Sequence, residues 1–107
     1  MSYSFCQLWL TCEDEKEASK IAKYLLDKRL IVCAKQLPVT ADYWWDGSQE
    51  HSTEILLIMD SAEEMIDKVE TELEKLHSYE TFVLQAIPLR KVSKKASEWM
   101  KENLDIK

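Results

Sequence analysis

The chain of 107 residues has one glycine, Gly47, and it directly follows Tyr43-Trp44-Trp45-Asp46. Average usage of about 7% would give roughly seven. Nearly every backbone position must therefore suit an ordinary L residue. The sole φ-permissive residue sits between apolar runs rich in β-branched and aromatic side chains, residues 30–45 before it and 55–59 after it. Asp-Gly between such runs signals a tight hairpin, because a type I′ turn needs positive φ at both central positions. The expected object is a long β-hairpin with two tryptophans at its tip. Exposed aromatics on an unpaired ribbon call for a partner, so Tyr43, Trp44, Trp45 and Gly47 are expected at an interface between copies.

The remaining periodicities give an α+β chain. Residues 5–10 form an apolar strand. Thr11-x-x-Asp14 reads as a capping signature, and Ala18, Ile21, Ala22, Leu25 and Leu26 lay one stripe along a helix over 13–28. A second strand occupies 30–45, with Pro38 marking an edge or a bulge. The third strand is 52–59. Ser61-x-x-Glu64 is a second capping box, followed by a helix carrying Met65, Ile66, Val69, Leu73 and Leu76. The fourth strand is 80–89, with Pro88 near its end. A terminal helix over 93–104 is expected to bury Ala96, Trp99, Met100 and Leu104. The order β-α-β-β-α-β plus a C-terminal helix is that of a ferredoxin-like sandwich, an antiparallel sheet with an extended β2-β3 hairpin. The first, third and fourth strands are apolar on both faces, whereas a sheet covered on one side would alternate apolar with polar. Oligomerisation through the sheet and the ribbon is the economical cover.

Composition narrows the function classes. The length suits one domain over residues 1–107. No segment approaches the roughly 18 apolar residues of a membrane span, and Met1-Ser2-Tyr3-Ser4 lacks the basic and apolar regions of a signal peptide. Cytoplasmic placement and no membrane partner follow as expectations. Cys6, Cys12 and Cys33 are odd in number and lack a C-x-x-C, so free thiols are expected rather than disulfides or a paired-cysteine zinc site. A net charge of −6 repels nucleic acid and weakly attracts cations.

Chain direction places three segments at one end of the molecule: Cys12, the Trp44-Trp45 tip and His77-Ser78-Tyr79-Glu80. The first and fourth strands are neighbours in the split βαβ order, which brings Thr11-Cys12 near Tyr79-Glu80. Cys12, His77 and Glu80, with Asp14 nearby, make a donor mixture suited to copper or zinc. The structural alternative is that His77 caps a helix end, Glu80 accepts backbone N–H groups and Cys12 only packs. Tyr79, with Trp44 and Trp45, offers rings for a ligand in a cleft. His51, just after the hairpin, is expected to be a lone, solvent-exposed imidazole.

A family resemblance is carried by the segments Thr11-Cys12-Glu13-Asp14-Glu15-Lys16, Leu30-Ile31-Val32-Cys33-Ala34, Pro38-Val39-Thr40-Ala41-Asp42-Tyr43-Trp44-Trp45-Asp46-Gly47, Glu54-Ile55-Leu56-Leu57-Ile58 and His77-Ser78-Tyr79-Glu80. In this order they resemble the CutA family, the divalent-cation tolerance proteins, and Trp99 is similar to that family's terminal-helix tryptophan. The resemblance implies a ferredoxin-like subunit in a tight homotrimer whose ribbons join neighbouring sheets. It also implies a link to divalent-cation tolerance and copper binding, and a trimer like that of PII-type signalling proteins. The family's His-Pro-Tyr-Glu-x-Pro-Glu is here His77-Ser78-Tyr79-Glu80-Thr81-Phe82-Val83, so a proline and a glutamate give way to apolar residues. A cysteine proposed as a metal ligand in some members aligns with Leu10. The loop over 90–95 is basic and lacks the glycine often found there.

Three function classes follow. The first is a trimeric, non-catalytic binding or signalling protein associated with copper, with no required cofactor and copper or zinc as the candidate ion. The second is a PII-like trimer that takes a small organic ligand or anion at subunit clefts, although the chain has no glycine-rich phosphate cradle. The third is a small hydrolase using Cys12 and His77. It ranks last, because Arg29 and Arg90 are the only arginines and neither lies in an anion loop.

Overall fold

The computed structural model describes residues 4–106; Met1, Ser2 and Tyr3 of the amino-terminal stretch, and Lys107, lie outside the described residues. The first strand, β1 (Phe5–Cys12), shows how the two sides of the molecule differ. Cys6, Leu8, Leu10 and Cys12 are fully buried, while the alternate Gln7, Trp9 and Thr11 are half-buried. Successive strand side chains point to opposite faces, so the even positions of β1 line the core.

β1 is central. It pairs antiparallel with β3 (Ser48–Ala62) on one side and with β4 (Leu84–Pro88) on the other, and β2 (Cys33–Trp45) flanks β3. The sheet order β2-β3-β1-β4, with α1 (Glu15–Asp27) and α2 (Ile66–Leu76) joining the halves and α3 (Lys94–Asn103) at the end, is the expected ferredoxin-like sandwich. Ala18, Ile21 and Leu25 of α1 and Val69 and Leu73 of α2 pack with Leu8, Leu10, Leu57 and Met59 in one core. Burying each large aliphatic side chain contributes about 1.5–3 kcal/mol. Met100 of α3 and the following Leu104 close its lower edge.

Hydrogen-bond ladders move several ends away from the sequence expectation. β1 continues past Leu10 because Thr11 and Cys12 pair with Leu56 and Ile55, so Cys12 is a strand residue facing the core and not a turn residue. Thr11 therefore cannot cap α1. The cap is Asp14, whose Oδ1 accepts the Glu17 N–H at 2.9 Å, and the helix starts at Glu15. β2 begins at Cys33, not at residue 30, and β3 runs beyond 52–59 in both directions. The expected capping box at Ser61 does not form. Ser61 lies in the ladder and its Oγ donates to the Leu30 carbonyl at 2.7 Å, while Ala62 precedes a 3₁₀ turn over Glu63–Met65 that leads into α2. β4 is shorter than 80–89, leaving residues 77–83 as a loop. Trp99 was expected to be buried, yet it is 46% exposed on α3. Pro38 sits opposite Ile55 on β2, whose only neighbour among the described residues is β3, so it holds the expected edge position.

Beyond the Pro38–Ile55 pair the sheet narrows to two strands. Seven further pairs, from Val39↔Glu54 to Trp45↔Ser48, carry the ribbon about 23 Å at 3.3 Å per residue. This helps stretch the molecule to 48 × 26 × 21 Å. Asp46 and Gly47 close the ribbon at φ 49° and 82°, the two positive angles a type I′ turn demands. Strand alternation sorts its side chains. Tyr43 and Trp45 continue the sheet face opposite the helices, whereas Asp42, Trp44 and His51 lie on the other side.

That opposite face has no layer of α1 or α2 on it. Trp9, Leu56 and Ile58 are half-buried, and Leu37 and Ile87 are exposed. A Trp9–Gln7–Asp60–Lys35 chain of polar contacts borders them at 3.2, 3.4 and 3.3 Å.

Candidate functional site

The site forms where α2 stops. His77 is its C-cap, with extended backbone at φ −74°, ψ 139° and its N–H donated to the Leu73 carbonyl at 2.9 Å. The following loop turns the ring inward to the top of β1, and the His77 side chain is fully buried. Its Nε2 lies 2.9 Å from the Thr11 carbonyl oxygen, and its Nδ1 lies 3.0 Å from the Tyr79 backbone nitrogen. A carbonyl only accepts and a backbone N–H only donates, so these partners assign the tautomer: Nε2 carries the hydrogen and the Nδ1 lone pair is taken. The Tyr79 ring centroid is 4.8 Å from the imidazole, and Phe82 stacks on it at 5.3 Å with 17° between planes. Phe82 is one of the residues that depart from the pattern of the resembled family, and here its ring packs on the imidazole.

The structure brings Thr11, Cys12, His77 and Tyr79 together as the topology implies; Glu80 is exposed and is not among the clustered donors. Its place is taken by Glu17. Ligand atoms of Cys12, Glu17 and His77 all lie within 4.8 Å of one another. Glu17 is the third residue of α1, and its carboxylate reaches back to accept the Glu13 N–H at 2.9 Å and the Ser78 N–H at 2.8 Å. Asp14-x-x-Glu17 is itself a capping pattern, so the signal was present in the sequence one turn later than Thr11-x-x-Asp14. Burial works against the charged carboxyl, but the bonds from Ser78 and Glu13 outweigh it and hold Glu17 below its ordinary value. Asp14 acts as the helix cap.

Burial, reinforced by the carboxylates of Glu17, Asp14 and Glu54, pushes the Cys12 thiol up to about 12. Glu54 is a second residue the sequence reading missed. It is only 6% exposed and is bonded by the Ser52 hydroxyl. A lone carboxylate in an apolar strand pattern gave no sign of its burial. Tyr79 is half-buried, and burial followed by the carboxylates of Glu54, Glu17 and Glu13 pushes its phenol well above the usual range. The residues expected at an interface are open: Tyr43 is exposed, Trp44 is 70% and Trp45 51% exposed, and Gly47 occupies the turn.

The donor set of Cys12, Glu17 and His77 has the chemistry of a copper or zinc site. In this conformation each Glu17 carboxylate oxygen accepts one backbone N–H group and both His77 ring nitrogens are hydrogen-bonded. To take a cation, the group would have to release the Tyr79 N–H from His77 Nδ1 and the proton from the Cys12 thiol. What it does is tie the end of β1, the start of α1 and the α2–β4 loop together. His51, expected to be a lone imidazole, is exposed as expected but not alone, for its Nδ1 lies 2.6 Å from Asp42 Oδ1.

Residues 6–103 match the family model described as CutA1 divalent ion tolerance protein. The divalent-cation tolerance protein CutA of Archaeoglobus fulgidus is 33% identical over 98 residues, covering 92% of this chain and 96% of the relative. The corresponding protein of Thermotoga maritima is 31% identical over 97 residues, covering 91% and 96%. The solved structure of the Archaeoglobus fulgidus protein, described as periplasmic, superposes with a TM-score of 0.90 at 32% identity and covers 92% of this chain and 97% of that one.

Proposed function

The chain belongs to the CutA1 divalent ion tolerance family, and from that premise we propose that it works as a homotrimeric, non-catalytic binding and signalling protein associated with copper tolerance. The observation that carries the assembled state is the uncovered sheet face: Trp9, Leu37, Leu56, Ile58 and Ile87, continued by Tyr43 and Trp45 along a ribbon that a single copy leaves in water. A patch of this kind marks an interaction surface.

Two features support a non-catalytic role. The Cys12 thiol is far from ionising at neutral pH, and His77 has no free ring nitrogen to act as a base, so the Cys12–His77 pair offers neither a nucleophile nor its activator. The divalent-cation reading draws on the family and on the net charge of −6, which favours cations and disfavours nucleic acid. No step is routed through the Cys12–Glu17–His77 group. For the PII-like alternative, the carboxylates around Tyr79 work against an anion in a cleft and leave a small organic ligand with a cationic group as its remaining form. Free Cys6, Cys12 and Cys33 support a reducing, cytoplasmic setting. Among the described residues no helix is long and apolar enough to cross a membrane.

The test is the double variant Trp44→Ala with Trp45→Ala. Two such side chains burying about 200 Å² each contribute several kcal/mol to assembly. Light scattering should report loss of the trimer while circular dichroism stays unchanged. A double variant that remains trimeric contradicts the reading.

A further inference from the structure

We propose that the Asp42–His51 pair on the ribbon is a divalent-cation site, in which His51 Nε2 ligates a borderline cation such as copper(II) or zinc and Asp42 holds the ring. The proposal rests on the divalent-cation reading and gives it a location. The chain contains two histidines. In His77 both ring nitrogens are bonded. In His51 only Nδ1 has a partner among the described residues, the Asp42 carboxylate at 2.6 Å. A carboxylate accepts, so Nδ1 supplies the hydrogen and the lone pair of Nε2 is left free. A carboxylate on one imidazole nitrogen and a metal on the other is the usual arrangement of a histidine ligand, because the carboxylate fixes the tautomer and raises the basicity of the ring.

The surroundings suit a hydrated cation. Asp42 and His51 face each other directly across the ribbon, so the backbone ladder sets their spacing. A groove of about 410 Å³ lies beside them, lined by Asp42, Tyr43, Trp44, Gln49, Glu50 and His51. It leaves room for water ligands. The pair lies on the ribbon side opposite Tyr43 and Trp45, beside Trp44. Imidazole suits copper and zinc. One protein nitrogen completed by water makes an exchangeable site rather than a structural one.

Copper(II) titrated calorimetrically into the wild type and into His51→Ala, Asp42→Asn and His77→Ala variants tests the assignment. Electron paramagnetic resonance follows the bound nitrogen, and light scattering on the same samples follows assembly. His51→Ala should lose at least tenfold in affinity together with the nitrogen signature. Asp42→Asn should weaken binding by about 10- to 100-fold, and His77→Ala should bind as the wild type does. His51 is exposed, so its variant keeps the fold. Undiminished binding by His51→Ala overturns the site and leaves the cation reading standing. A wild type that binds no copper overturns both, while the scattering still reports the assembly.

Discussion

At Cys12 the surroundings, more than the residue type, decide the chemistry. Cys6 and Cys12 are fully buried and each thiol is pushed up to about 12, Cys6 by burial and then by Glu63, Cys12 by burial and then by Glu17. Cys33 is half-buried, and the Lys35 ammonium stands 3.6 Å from its sulfur. Iodoacetamide at neutral pH should therefore label Cys33 and spare the other two until the chain unfolds; mass spectrometry of the labelled peptides checks this, and rapid labelling of Cys12 contradicts it. The same shifts set an alkaline limit. Below the ordinary value of 9.0 the two buried thiols are protonated in both folded and unfolded chains. Above it the unfolded chain releases protons that the folded chain retains, so stability should fall as pH rises from 9 towards 12, by at most about 1.4 kcal/mol per pH unit per thiol. A urea midpoint that is flat across this window contradicts it. The sequence made the meeting of Thr11, Cys12, His77 and Tyr79 legible, because chain direction alone brings them to one end. It hid Glu17 and Glu54, since a carboxylate's burial depends on which backbone N–H groups or hydroxyls fold over it.

Elements show a parallel division between what local residues state and what pairing decides. Asp46-Gly47 announced the ribbon turn because few residues other than glycine adopt its angles comfortably. Nothing announced Arg29, which adopts φ 59° at the end of α1. There the Arg29 N–H bonds the Leu26 carbonyl at 3.0 Å and the Leu30 N–H bonds the Leu25 carbonyl at 3.0 Å, a Schellman closure with its apolar contact between Leu25 and Leu30. Glycine is the usual occupant of that position, and an L side chain there costs about 1–2 kcal/mol. Arg29 offsets part of this by clasping the carboxyl-terminal segment: its carbonyl accepts the Asp105 N–H at 2.9 Å and its Nη1 donates to the Asn103 carbonyl at 3.3 Å. Only the second bond is lost in Arg29→Gly, and it is exposed. Urea denaturation should therefore show the variant about 0.5–1 kcal/mol more stable, and a lower midpoint would mean that the clasp outweighs the strain. Strand ends were the least legible feature. β3 extends to Ser48 and Ala62 because partners stand opposite on β2 and β1, and partners are not written in a strand's own residues.

At the scale of the molecule, the two-sided apolar pattern of β1 and β3 was the informative sign. One side is met by α1 and α2, and the other, with Leu37, Ile87, Tyr43 and Trp45, is not. That an uncovered face would exist was legible in the sequence. In the proposed assembly the number of copies depends on the angle at which a ribbon meets its neighbour, and no residue spells that out. The direct test is the mass of the particle in dilute solution. Sedimentation velocity should find three copies of the 12.6 kDa chain moving as one species. A well-folded 12.6 kDa particle that shows no association as concentration rises would contradict the account.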